Sequence, residues 1–188
     1  MRRGSSTVVS IVGEVGEALL AEVDRSTNVS VVRSRGPELE PAIAALGEAA
    51  GRASPYGVVA ADPLAGAAAA WRAMWTPGAA GQGTAGFEEA AGEALLAWRA
   101  HRFELPDYYL VVAGEPGPEA VPHPEDFHLG VLRAERPSRV LAVPSAEARV
   151  VAARVARTLR GLPAGPWWPP LDRLMDAARS AFPGRVAS

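Results

Sequence analysis

Apolar positions along this chain follow two rhythms. Short unbroken runs of valine, isoleucine, leucine and tyrosine alternate with longer stretches in which apolar residues recur every three or four positions. The first rhythm marks strands buried on both faces, and the second marks amphipathic helices. The clearest run is residues 105–114, Leu-Pro-Asp-Tyr-Tyr-Leu-Val-Val-Ala-Gly. Pro106 marks its entry, and Gly114 with Pro116 ends it. β-Branched and aromatic side chains suit a packed, pleated surface, so this segment is expected to be a central strand.

Further strands are predicted at 7–12, 28–33 and 56–61, separated by helices at 17–24 and 38–52. Strand, helix, strand is the pattern of a parallel pair. Asp62-Pro63 then reads as a helix start, with aspartate as cap and proline in the first turn. The helix that follows, 64–75, is rich in alanine and carries Trp71 and Trp75 four residues apart. A strong helix is predicted over 87–102, where Phe87, Ala91, Ala94, Leu95 and Trp98 form a stripe. Residues 127–132 and 138–143 read as two strands joined by a short link, which predicts an antiparallel hairpin. Ser145 is expected to cap the next helix, with Val151, Val155 and Leu159 facing inward. A stiff connector, 162–170, holds four prolines, and a last helix covers 171–182.

These elements predict one α/β domain. The expected sheet is mixed, with about five to six strands, parallel in its N-terminal part, and helices on both faces. The low-complexity stretch 77–86 is expected to be a loop, which allows two lobes joined there.

Composition narrows the chemistry. The chain of 188 residues contains no cysteine, which excludes disulfides, thiolate metal sites and cysteine nucleophiles. All 19 basic residues are arginine, so no Schiff-base lysine or phosphate-gripping lysine exists. The net charge of −2 is split between the two ends of the chain. Residues 1–119 carry 9 arginines against 15 acids, and residues 120–188 carry 10 against 6. A net-acidic chain is a poor nucleic-acid binder. No apolar run is long enough for a membrane span or a signal peptide, so a cytoplasmic location is expected.

Four groups of residues carry candidate chemistry. The turn Gly13-Glu14-Val15-Gly16 sits between a strand and a helix, where backbone N–H groups can hold phosphate. It lacks the third glycine of the dinucleotide fingerprint, and Glu14 and Glu17 oppose an anion. Glu14, Asp62, Glu115 and Ser145 follow strands, where open parallel sheets bind ligands. Asp62 with Glu115 would make an acid–base pair, although capping alone accounts for Asp62. His123, Glu125 and His128 form a cysteine-free metal constellation, with His101 as a fourth donor; a proline-rich loop explains the same residues without a metal. Trp167 and Trp168 stand among prolines, either as exposed partner anchors or as rings folded back into the core.

No nucleophilic triad can be assembled and no cofactor is expected. The leading expectation is a non-catalytic accessory or interaction protein, acting on a protein partner or on itself as a homo-oligomer. The alternative is a small enzyme or ligand-binding domain, with its site at the strand ends or at the histidine–carboxylate cluster.

Overall fold

The computed structural model describes residues 6–75, 80–114 and 125–181. Five strands form one sheet: β1 (Thr7–Gly13), β2 (Val29–Arg33), β3 (Tyr56–Ala60), β4 (Tyr108–Ala113) and β5 (Val140–Pro144). Their order is β2-β3-β1-β4-β5, and every pairing is parallel. From β1 the chain moves outward to β2, returns to β3, then crosses to β4 and β5 on the other side. The course therefore reverses around β1.

Alternation along each strand divides the core. Val9 and Ile11 of β1, with Leu110 and Val112 of β4, pack beneath α1 (Glu17–Asp24) and α6 (Ala148–Arg160). The opposite face is covered in two parts. Val8, Val32 and Val59 meet α2 (Leu39–Ala50). Tyr109, Val111 and Val140 meet α3 (Ala65–Ala73), α4 (Ala80–Arg99) and α7 (Leu171–Ser180). Strands buried on both faces require apolar residues at consecutive positions, which is why β4 reads as an unbroken run.

Two expectations are corrected. Residues 127–132 are not a strand. Phe127–Leu132 is a π-helix that continues into a short helix, α5 (Arg133–Glu135). The antiparallel hairpin is consequently absent, and β5 lies parallel beside β4, with Tyr109 opposite Val140. The sheet is thus all parallel rather than mixed.

The glycine-rich stretch also differs from its expected form. Of the expected loop 77–86, residues 77–79 lie outside the described residues, and residues 80–86 are the opening turns of α4, which runs for 20 residues. Glycine here serves a close approach. A Cβ on Gly83 would stand 2.8 Å from the Met74 Cα, so only glycine lets α4 lie this near the end of α3. Gly92, later in the same helix, has no atom within 4 Å of where its Cβ would be. Gly92→Ala is therefore expected to stabilise the fold by about 0.5–1 kcal/mol, seen as a higher Tm, because it removes backbone entropy at no steric cost. Gly83→Ala is expected to lower Tm in the same measurement.

No helix among the described residues is long and apolar enough to cross a membrane.

Candidate ligand site at the strand ends

β1 ends at Gly13, whose φ of +93° suits glycine alone. A Cβ there would meet the Val112 carbonyl oxygen at 2.1 Å. The absence of that carbon lets the chain press against β4, and the Glu14 N–H donates to the same carbonyl at 2.9 Å. This turn fixes how the ends of β1 and β4 are arranged.

Beyond the ends of β1 and β3 lies a cavity of about 400 Å³. Its walls are mostly aliphatic: Ile11 and Val12 from β1, Pro37 before α2, and Ala65 and Ala69 on α3. Three polar side chains also line it, Asp62, His128 and Arg72. The location matches the general rule for open parallel sheets, in which ligands sit outside the carboxyl ends where the strand order reverses.

Asp62 is the centre of the polar wall. It is 8% exposed and accepts three hydrogen bonds. The Leu64 N–H and the Tyr109 O–H donate to its Oδ1, at 2.8 and 2.9 Å. The His128 Nε2 stands 2.9 Å from Oδ2. Asp62 therefore does more than begin a helix. Its bond to the Leu64 N–H closes a local turn before α3, and its other bonds reach across the sheet to β4 and to the π-helix.

The environment sets the chemistry of the neighbours. Burial, reinforced by the charge and hydrogen bond of Asp62, holds the Tyr109 phenol well above its ordinary range. Tyr109 accordingly remains a neutral donor. The Tyr109 and His128 rings lie 5.1 Å apart, and Phe127 meets the His128 ring edge-to-face at 5.6 Å. A π-helix is uncommon and recurs at functional positions. Here it presents His128 to Asp62 while Val131 and Leu132 stay in the core. A carboxylate that fixes an imidazole in one tautomer prepares the ring's other nitrogen for hydrogen bonding or proton transfer.

The remaining candidates are spread over the molecule. Glu14 lies over the β4–β5 side and accepts the Ser145 hydroxyl, so Ser145 bonds to Glu14 and does not cap α6. Glu14 does not line the cavity. Glu115 and His123 fall outside the described residues. Glu125 is buried, with its Cγ 3.3 Å from where a Gly13 Cβ would be. Its backbone carbonyl accepts the His128 N–H at 3.0 Å. His101 sits exposed just past the end of α4. Among the described residues no three histidine, aspartate or glutamate side chains converge as a metal site.

The tryptophan pair lies by the start of β4, at the opposite end of the strands from the cavity. The Trp168 ring is 7% exposed, donates from Nε1 to the Pro106 carbonyl at 2.7 Å, and packs edge-to-face on Tyr109. Trp167 is half-buried, 4.8 Å from the Arg139 guanidinium. Arg139 itself is buried, bonded to the carbonyls of Gly165, Pro166 and Asp107. The proline-rich connector is thus bound down against the start of β4.

Sequence reasoning misses Tyr109. In the sequence it is a core residue of β4 and no more, and no local pattern joins it to Asp62, 47 residues earlier.

The architecture defines an open, all-parallel α/β protein whose switch point holds a mostly aliphatic cavity with a few polar side chains on its wall. Comparison with protein-family models, with curated proteins and with solved structures returned no match.

Proposed function

We propose that this protein is a small-molecule-binding α/β domain whose ligand occupies the cavity beyond β1 and β3. The observation that carries this reading is the cavity itself: about 400 Å³, aliphatic on most sides, with Asp62, His128 and Arg72 gathered on its wall. Ligand pockets commonly begin near ~300 Å³ and combine apolar lining with a few placed polar groups. Both features occur at the position where this sheet class binds ligands. The burial of Trp168 weighs against the alternative of a tryptophan-anchored protein contact, since that ring is already occupied within the chain.

Indole is a suitable first probe, being flat, apolar and small enough for the space. At tenfold excess over Kd, ligand binding contributes about 1.4 kcal/mol to the native state. For a chain of this length that is a rise in Tm of roughly 3–6 °C. Ala69 lines the cavity and is solvent-exposed, so Ala69→Phe should occlude the opening without disturbing the core. The expected result is stabilisation of the unsubstituted protein by indole and none of Ala69→Phe. Equal stabilisation of both would place the binding elsewhere and refute the reading.

A further inference from the structure

This inference rests on the cavity reading and specifies what the cavity selects. His128 is 4% exposed and lines the cavity wall. Its only side-chain hydrogen bond among the described residues is that of Nε2 to Asp62 Oδ2. Oδ1 of Asp62 is already engaged by two donors, the Tyr109 hydroxyl and the Leu64 N–H. The charge of Asp62 is part of what holds the Tyr109 phenol neutral. A carboxylate only accepts, so the proton between the two groups resides on Nε2. In a neutral imidazole, a proton on Nε2 leaves Nδ1 with its lone pair.

We propose that His128 Nδ1 is the hydrogen-bond acceptor of this site, so that the cavity takes a small, mostly apolar ligand bearing an O–H or N–H donor. The rest of the wall supports that class. Aliphatic side chains from β1, α2 and α3 reward an apolar body. An unengaged nitrogen in such surroundings discriminates against an equally sized molecule that leaves it unpaired. Asp62, Tyr109 and the Leu64 N–H act through His128: they hold the ring and its tautomer, and are positioning groups.

Phenol and toluene provide the test, since they differ in the donor and match in size. The chain has three histidines, so ring-nitrogen NMR on histidine-labelled protein can be resolved residue by residue. In the unliganded protein His128 is expected in the Nε2–H tautomer. Phenol should bind at least tenfold more tightly than toluene and shift the His128 Nδ1 resonance. Asp62→Asn retains a carbonyl oxygen for Tyr109 and Leu64 but presents an amide N–H to Nε2. The proton then moves to Nδ1, which can no longer accept; the phenol oxygen accepts from that N–H only weakly, and the preference for phenol should fall several-fold.

Three results would overturn the proposal. One is an Nδ1–H tautomer in the unliganded protein, a measurement independent of how any variant folds. Another is phenol and toluene binding equally, with both excluded by Ala69→Phe. That outcome removes the donor class and leaves the cavity reading standing. Failure of both probes to bind at their solubility limits would remove the cavity reading, and the proposal with it.

Discussion

Trp168→Ala is expected to destabilise the protein by about 3–5 kcal/mol, the usual cost of deleting a buried indole. The ring is nearly enclosed, its Nε1 donates to the Pro106 carbonyl, and its edge meets Tyr109. Truncation would open a cavity beside the central strands and leave a buried carbonyl without its donor. Across ~2–4 °C per kcal/mol, the fall in Tm should be roughly 6–20 °C. Trp167→Ala should cost less, because that ring is half-buried and gives up mainly its stacking on Arg139. Thermal unfolding of both variants beside a sedimentation measurement checks this directly. A change in association state with an unaltered Tm for Trp168→Ala would contradict the structure.

The second large effect is expected at Asp62. Asp62→Ala leaves three donors without their acceptor: the Leu64 N–H, the Tyr109 hydroxyl and the His128 imidazole. Each buried orphan costs about 1–3 kcal/mol. A total near ~3–5 kcal/mol is expected, since partial rearrangement relieves some of it. Adding Tyr109→Phe should cost less in the Asp62→Ala background than in the wild type, because there the hydroxyl is already unpaired. Denaturant unfolding of the four proteins in this cycle gives the coupling. Strict additivity would show that Tyr109 and Asp62 do not share a hydrogen bond in solution.

Much of the architecture is legible because buried parallel strands write themselves as continuous apolar runs. All five strands lie where such runs occur, and the helices between β1, β2 and β3 mark them as parallel. The misreading at Phe127–Leu132 has a physical source. Six residues containing phenylalanine, leucine and valine, with burial on two sides, satisfy the criteria for a buried strand and for a buried helical turn alike. Once that segment is taken for a strand, a hairpin with residues 138–143 follows, and the last strand acquires the wrong direction. Glycine at 81, 83 and 86 argues for a loop by propensity. The packing of α4 on α3 overrides it, and at Gly83 requires it.

The candidate site is legible only in part. Asp62 and His128 both stand out, one as a strand-end acid and the other as a metal ligand. Their pairing is not visible, because 66 residues separate them. Chemistry assembled by a sheet leaves no spacing signature: partners come from whichever strand ends the topology brings side by side. Arg139 shows the same limit at the opposite end of the strands, where its acceptors lie 26, 27 and 32 residues away.

The π-helix at Phe127–Leu132 ties the site to a count of residues. A π turn holds one residue more than the α-helix that could replace it. Rewinding the turn as α-helix with no residue lost would rotate its two ends by about 100° relative to each other. Val131 and Leu132 could then keep their places in the core, or His128 could keep its place beside Asp62, but not both. A chain lacking one residue here, for example Gly130, would instead close the turn to α-helix with its ends nearly in phase, because the α turn spans the same arc with one residue fewer. The surplus residue is thus what the segment absorbs while the core holds one end and the carboxylate the other, and the wide turn lasts only as long as both grips do.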